Sequence, residues 1–210
     1  MPYLLIHGLG QSPSVWADTC RRMAWLSRAD ADCPSLARLL HSKPATYDAL
    51  YQAFTDYCAA LPRPLHLCGL SLGGILALHY AAEHPTHTAS LVLIGVPYRM
   101  PKKLLAVQSA VFRLMPARAF RQMGFPKQDA LRLSASMKDL DFRDVLHTIP
   151  CPALILCGGK DRANATAARE LAARLPDARL QIIAGAGHEV NVDTPAQLAL
   201  ALTRFWHTKN

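Results

Sequence analysis

One pentapeptide, Gly69-Leu70-Ser71-Leu72-Gly73, places a hydroxyl where it could act as a nucleophile. An apolar run precedes it and apolar residues at helical spacing follow it, which predicts a strand, a sharp turn at Ser71 and a helix over residues 73–84. Such a turn has no room for a Cβ atom at Gly69 or Gly73, and it holds the hydroxyl exposed. Because a helix N-terminus favours negative charge, the predicted chemistry is attack on an acyl carbon with a stabilised oxyanion. The alternative is a chance occurrence in a glycine loop, which the flanking strand and helix disfavour.

A nucleophilic serine needs a general base, and the sequence offers nine histidines. Only His188 lies in a glycine loop directly after a predicted strand. His66 and His79 flank the pentapeptide, but their places on the predicted strand and helix are typical of packed or surface residues. We therefore predict His188 as the base.

The base in turn needs a carboxylate to orient its ring. Asp161 follows a predicted strand through the turn Gly158-Gly159-Lys160, so it should lie at the same sheet edge as Ser71 and His188. The alternative is Asp193, five residues after His188, which could contact the imidazole or cap the last helix. We favour Asp161 as the acid.

The elements that must position these residues alternate between strands and helices, which predicts an α/β fold with a parallel sheet covered on both faces. The predicted strands are Tyr3–Ile6, a weakly patterned edge segment at 28–36, Leu65–Cys68, Ser90–Ile94, Cys151–Cys157 and Arg179–Ile183. The predicted helices run from Pro13 or Ser14 through Leu26, from Thr46 to Leu61, over 73–84, from Ala163 to Leu175, and from Thr194-Pro195 through Phe205.

Serine, acid and histidine occur in the order Ser71, Asp161, His188, each after a predicted strand, and this order is typical of one fold family. On these residues, and on the segments His7-Gly8-Leu9-Gly10, Gly69-Leu70-Ser71-Leu72-Gly73-Gly74, Gly158-Gly159-Lys160-Asp161 and Gly187-His188, the sequence resembles the α/β-hydrolase superfamily, especially its small carboxylesterase-like members. The resemblance spans nearly the whole chain.

The resemblance implies roles for these residues. Ser71 would form an acyl-enzyme, His188 would carry the proton between Ser71 and the leaving group, and Asp161 would hold the imidazole in the right tautomer. The backbone N–H groups of Leu9 and Leu72 would form the oxyanion hole. His7 would be a structural hydrogen-bonding residue and not a base.

Two features depart from the pattern of the superfamily. Most relatives have a β-hairpin before the first predicted strand, whereas Met1 here stands directly before it, so we expect a smaller sheet of about six strands without the N-terminal hairpin. The helical pieces between Pro97 and Pro150 interrupt the alternation, and we interpret residues 97–150 as a short lid inserted into a single domain of residues 1–210. A short lid predicts an open, shallow pocket.

The predicted lid has an apolar stripe and a strong positive charge. The stripe comprises Leu104, Val107, Ala110, Val111, Leu114 and Met115, which we expect to cover the carboxyl ends of the strands. Residues 97–150 contain ten Lys or Arg residues against four Asp, a net charge of +6 out of +8 for the chain. The ten are Arg99, Lys102, Lys103, Arg113, Arg118, Arg121, Lys127, Arg132, Lys138 and Arg143. This charge either attracts anions or is a solvated face, and the solvated face is the favoured interpretation.

Composition limits the remaining possibilities. The chain has 210 residues, no apolar run of membrane-spanning length and no signal-peptide pattern, which predicts one soluble, cytoplasmic domain without stable membrane insertion. Its six cysteines lack metal-type spacing, and Cys68 and Cys157 lie in predicted buried strands, so we expect reduced core thiols. No nucleic-acid motif accompanies the charge. The exposed edge strand would permit a monomer or a homodimer.

The function predicted is a serine hydrolase that cleaves carboxylic esters or thioesters of small to medium acyl groups, with a small-molecule ester as substrate and without metal or organic cofactor. A serine in place of an aspartate argues against dehalogenase or epoxide hydrolase chemistry. Two alternatives remain: a lyase or C–C bond hydrolase acting on an anionic substrate, and a non-catalytic ligand-binding protein of the same fold.

Overall fold

A parallel sheet forms the middle layer of the protein in the computed structural model, which describes residues 1–27, 30–122 and 125–207 and, at 103, 104, 108, 121 and 122, the backbone alone. The strands are β1 (Tyr3–Ile6), β2 (Ala31–Asp32), β3 (Leu65–Leu70), β4 (Thr88–Ile94), β5 (Ala153–Gly158) and β6 (Ala178–Ile183). Their order across the sheet is β2-β1-β3-β4-β5-β6, and every pairing is parallel. The expected fold class and the expected number of strands are confirmed.

Apolar side chains cover both faces of the sheet along its central strands. Successive residues of a strand point to opposite sides, so each of these strands contributes to both faces. In β4, Leu91 and Leu93 join one buried cluster while Val92 and Ile94 join the other. Strands β3 and β5 alternate in the same way between the two clusters, whereas β6 at the sheet edge exposes Leu180 and Ile182. Such two-sided burial is what a parallel sheet requires, and it needs helices on both faces.

The helices supply those two outer layers. They are α1 (Ala17–Arg22), α2 (Leu36–Leu39), α3 (Tyr47–Ala59), α4 (Leu72–Glu83), α5 (Lys102–Leu114), α6 (Ala117–Gln122), α7 (Lys127–Ser136), α8 (Ala165–Arg174), α9 (Val190–Asp193) and α10 (Pro195–His207). Helices α3, α4 and α8 pack on one face of the sheet, and α10 packs with Trp16 and Met23 on the other. None of the helices among the described residues combines the length and apolar character that a bilayer crossing requires.

Most predicted elements are present with ends that differ by a few residues. The predicted edge segment is reduced to the two residues of β2, which pairs only with β1, and residues 28–29 lie outside the described part. Cys68 and Cys157 are fully buried thiols in β3 and β5, as expected. Helices α2 and α9 were not expected, because four residues carry too little periodicity to be recognised.

The first predicted helix was too long. The expectation extended it through Leu26, but α1 ends at Arg22 and Met23 leaves helical geometry. The physical reason is aromatic packing, since Trp25 packs edge-on against Tyr3 and Trp206 and its Nε1 donates a hydrogen bond to the Thr203 hydroxyl. A continued helix would carry the indole away from those partners.

The helices α5, α6 and α7, with the residues around them from 97 to 150, form what we call the cap segment. Its predicted apolar stripe was wrong at Val107, Val111 and Leu114, which are 60%, 49% and 87% exposed, while Met115 packs against the core as expected. Leu105 and Phe112 face inward instead, and Phe112 packs edge-on against the buried Phe120. An aromatic ring buries more apolar area than a valine, so it decides which face of α5 turns inward. The side chains of Lys103, Leu104 and Arg121, and all of Gly124, lie outside the described part of the chain.

Candidate active site

The candidate site lies where the strand order reverses. From β1 the chain moves outward to β2, and from β3 it moves the other way through β4, β5 and β6, so the carboxyl ends of β1 and β3 border a crevice. A cavity of about 320 Å³ occupies this position. All five predicted site residues line it, namely Leu9, Ser71, Leu72, Asp161 and His188.

Ser71 occupies the turn between β3 and α4. Its backbone has a φ of +51°, an uncommon conformation for a residue with a side chain. Two close backbone approaches force the turn: a Cβ on Gly69 would lie 2.3 Å from the Gly73 oxygen, and a Cβ on Gly73 would lie 2.3 Å from the Ile6 oxygen. Leu72 begins α4, so its N–H has no partner within the helix and points from the helix N-terminus.

Asp161 and His188 form a hydrogen-bonded pair. The distance between Asp161 Oδ2 and His188 Nδ1 is 2.8 Å. Asp161 is buried, whereas the His188 side chain is 41% exposed. The ring is therefore anchored at one nitrogen and remains accessible from the cavity, which is the arrangement that a general base requires.

Asn164 is a residue that the sequence reasoning missed. Its Nδ2 donates to both oxygens of Asp161, at 3.0 Å and 2.8 Å, and its backbone N–H donates to Oδ1 at 3.3 Å. The same Nδ2 lies 3.2 Å from His188 Nδ1. Asn164 follows Asp161 by three residues, but the sequence carries no signal that an amide at that spacing would turn back to the carboxylate.

Two opposing effects act on the pKa of Asp161. Burial raises it, because a carboxylate loses its hydration, while the hydrogen bonds from His188 and Asn164 lower it. The hydrogen bonds prevail, so the pKa of Asp161 stays below its usual value. The group therefore remains a carboxylate, the form that accepts a hydrogen bond from the imidazole.

The loop after β1 is fixed by buried hydrogen bonds. His7 Nδ1 donates to the Gly8 carbonyl at 2.9 Å, and His7 Nε2 accepts from the Leu36 N–H at 3.3 Å. Burial lowers the pKa of His7, which keeps this ring neutral. His7 is thus a structural hydrogen-bonding residue, as expected.

A second network joins this loop to the His188 loop. Gln11 accepts from the Gly8 N–H at 3.2 Å and donates to Glu189 at 2.9 Å and Asn191 at 3.3 Å, and Asn191 donates back to Gln11 at 3.2 Å. Gln11 and Asn191 are both buried. They lie 180 residues apart, so no local pattern could identify them.

The alternative residues Asp193, His66 and His79 make other contacts. Asp193 Oδ2 accepts a 2.6 Å hydrogen bond from the Gly187 N–H, so it holds the loop backbone. His66 lies 2.7 Å from the Ser90 hydroxyl and stacks on Tyr3. His79 stacks on Tyr51 and contacts the Tyr47 hydroxyl.

The outer wall of the cavity comes from the cap segment and is mainly apolar. The cap residues that line it are Pro97, Met100, Pro101, Leu105, Ser134 and Met137. Among the described residues that line the cavity, none is lysine or arginine. The described residues also contain no group of three or more His, Cys, Asp or Glu placed to hold a metal ion.

Comparison with known proteins shows the family and the fold. The sequence model of the alpha/beta hydrolase family matches residues 3–201. The chain is 27% identical to a pimeloyl-(acyl-carrier protein) methyl ester esterase of Aromatoleum aromaticum, over 95% of both proteins. It is 28% identical to the monoacylglycerol lipase abhd6-B of Xenopus laevis, over 96% of this chain and 74% of that protein. Among solved structures, a thermophilic esterase from Thermogutta terrifontis superposes with a TM-score of 0.78 at 19% identity, covering 99% of this chain and 90% of the other.

Proposed function

Because the chain belongs to the alpha/beta hydrolase family, we propose that it is a serine hydrolase that cleaves carboxylic esters or thioesters of small to medium acyl groups. The observation that carries this proposal is the meeting of three features in one cavity: the strained turn at Ser71, the N-terminus of α4 and the pair formed by Asp161 and His188. A purely structural role would need none of them together.

In the proposed mechanism Ser71 Oγ attacks the acyl carbon while His188 Nε2 accepts its proton. Asp161 accepts the hydrogen bond from His188 Nδ1–H, which fixes the tautomer and stabilises the imidazolium that forms. The negative charge on the carbonyl oxygen is received by the backbone N–H groups of Leu9 and Leu72. His188 then protonates the leaving alcohol or thiol, and a water molecule activated by the same ring releases the acid.

The size and lining of the cavity support the acyl preference. A volume of about 320 Å³ lies at the lower end of ligand sites, which suits a short or medium chain. The relatives named as a methyl ester esterase and a monoacylglycerol lipase support ester cleavage over other chemistry of the family. Residues 1–210 would act as one domain, with residues 97–150 as a lid over the acyl chain.

An anionic substrate fits this cavity less well. A lyase or C–C bond hydrolase acting on such a substrate would need basic side chains at the site, and none lines the cavity within the described residues. Burying an unpaired carboxylate among Met100, Leu105 and Met137 is unfavourable, because the charge loses its hydration. The proposal is therefore an ester without a charged acyl chain.

A fluorophosphonate probe tests the proposal. We expect stoichiometric labelling of the native protein, with the adduct on Ser71 in peptide mapping, and no labelling of the Ser71→Ala variant. Ser134→Ala is the matched control, because Ser134 is the other serine that lines the cavity and should not react. Labelling of Ser71→Ala at the native rate would contradict the proposal. So would the absence of any labelling of the native protein, which would favour a non-catalytic ligand-binding protein.

A further inference from the structure

Ser134 has a hydroxyl without a partner at the wall of the active-site cavity. The residue lies in α7, is 1% exposed and lines the cavity from the cap side. Its Oγ makes no hydrogen bond to any described residue. A serine inside a helix can usually donate to the carbonyl four residues earlier, but Ser134 does not.

An unpartnered buried hydroxyl lowers the stability of the folded state, since the group gives up its hydrogen bonds to water. Alanine would fill the same position without that loss. The other cap residues that line the cavity are apolar, so Ser134 is the single polar side chain on this wall within the described residues. A bound molecule that brings a polar group to this wall would give the hydroxyl the partner that the described residues do not supply.

The surroundings limit the chemistry of that group. Ser134 is neutral, and no lysine or arginine among the described residues lines the cavity to balance a negative charge. A hydroxyl can donate one hydrogen bond and accept others. The matching group is therefore uncharged and polar, such as a ketone, an amide or a hydroxyl on an otherwise apolar chain.

We propose that Ser134 is a specificity-determining residue, which selects esters whose acyl chain carries one uncharged polar group that reaches α7. This proposal rests on the proposed function, because it assumes that the acyl chain lies in the cavity beside Ser71. It adds a substrate class to that function: a polar-substituted acyl chain instead of a plain alkanoyl chain.

The experiment compares p-nitrophenyl heptanoate with its 4-oxo, 5-oxo and 6-oxo derivatives, after subtraction of spontaneous hydrolysis. The quantity measured is the kcat/KM of each oxo ester divided by that of heptanoate, in the native protein, in Ser134→Ala and in Thr19→Val. Thr19 is the matched control because its buried hydroxyl also lacks a partner, but it does not line the cavity.

For the oxo ester that the native protein prefers, we expect Ser134→Ala to lower the ratio by about 10- to 100-fold, with the kcat/KM of heptanoate changed by less than about threefold. Thr19→Val should keep the native ratios. Equal ratios in the native protein and Ser134→Ala at all three oxo positions would overturn the proposal. A similar change of the ratio in Thr19→Val would also overturn it, since the effect would not belong to the cavity.

A binding measurement separates this inference from the proposed function. In the Ser71→Ala background, calorimetry with the intact esters gives the dissociation constants of heptanoate and of each oxo ester. The ratio of these two constants is then compared between Ser71→Ala and the double variant that also carries Ser134→Ala. A loss of oxo-ester preference on adding Ser134→Ala supports the inference even if the native protein proves not to hydrolyse any of these esters. An unchanged ratio of dissociation constants contradicts it even if hydrolysis is fast.

Discussion

At the residue scale, the Asp161 carboxylate is held by its contacts to Asn164 as much as by the one to His188. Three hydrogen bonds from the backbone N–H and the Nδ2 of Asn164, together with one from the imidazole, occupy both carboxylate oxygens. Since these contacts keep the pKa of Asp161 low against the effect of burial, Asn164 preserves the charge that orients His188. We regard Asn164 as a positioning residue, since it acts through Asp161.

Substitutions of Asn164 should separate orientation from charge. Asn164→Ala removes hydrogen bonds to a charged group, so we expect kcat to fall by about 10- to 100-fold. Asn164→Asp removes the Nδ2 donor and places a second carboxylate beside that of Asp161, so we expect a larger fall in kcat than in Asn164→Ala. The measurement is steady-state kinetics, and KM should change by less than about threefold in both variants. An unchanged kcat in both variants would show that Asn164 does not support the carboxylate of Asp161.

The two candidate acids make a direct comparison possible. Asp161→Asn removes the charge beside His188 and favours the wrong tautomer, so we expect turnover of a p-nitrophenyl ester to fall by about ten thousandfold. Asp193→Asn retains an oxygen that can accept from the Gly187 N–H, so the expected loss is less than about tenfold. Steady-state kinetics of both variants at matched folding decides between them. The reverse ranking would make Asp193 the acid.

At the scale of elements, the candidate site depends on how closely α4 approaches β1 and β3. A methyl group on Gly73 would meet the Ile6 oxygen at 2.3 Å, the Ile6 carbon at 2.6 Å and the His7 oxygen at 2.7 Å. These are backbone atoms of the last residue of β1 and of the residue after it, and they cannot move aside without disturbing the pairing of β1 with β3. Gly159 differs, since its methyl group would find the Ile183 oxygen at an ordinary 3.4 Å.

This contrast gives a stability prediction. We expect Gly73→Ala to lower the free energy of unfolding by more than about 3 kcal/mol, because the helix must shift away from the strand. Gly159→Ala should change it by less than about 1 kcal/mol, because the added methyl group finds only ordinary contacts and alanine restricts the unfolded chain. Urea unfolding followed by circular dichroism measures both. Equal stabilities of the two variants would mean that the close approach at Gly73 is not essential.

The alternation of strands and helices, and the places of Ser71, Asp161 and His188 after strands, could be read from the sequence, because apolar runs mark the strands and a turn or glycine loop follows each one. The positions of Gln11, Asn164 and Asn191 could not, since their contacts depend on loop shapes that leave no periodic pattern. The inward face of α5 was misjudged for a similar reason. The valines match a helical stripe, but the contact between Phe112 and Phe120 is a tertiary effect that local spacing does not show.

At the scale of the whole molecule, the net charge is +8, and none of the lysine or arginine side chains in the described part of the chain lines the cavity. In the cap segment, Arg143 lies 2.8 Å from Asp141 and Lys102 lies 3.0 Å from Asp139. Both pairs are largely exposed, so they contribute little stability and are screened by salt. These two basic side chains therefore lie on the solvated surface of the cap segment.

Burial of neutral histidines affects the stability of the whole molecule. Burial lowers the pKa of His66 to about 4, and it also lowers the pKa values of His7 and His79. A histidine with a lowered pKa binds fewer protons in the folded protein than in the unfolded chain, where the pKa is about 6.5. Its contribution to stability is complete above about pH 6.5 and is lost as the pH falls toward 4.

Replacing His66 should therefore flatten the dependence of stability on pH. Because part of the ring is solvent-accessible and screened, we expect the native protein to lose about 1–2 kcal/mol more than His66→Gln between pH 7 and pH 4.5. The variant also loses the stacking on Tyr3, so its stability is lower at every pH and the difference between the two pH values is the informative quantity. The exposed His147 supplies the control, since His147→Gln should keep the native dependence. The measurement is urea unfolding at both pH values. If His66→Gln and His147→Gln lose the same free energy on acidification as the native protein, the buried His66 ring does not couple folding to proton binding.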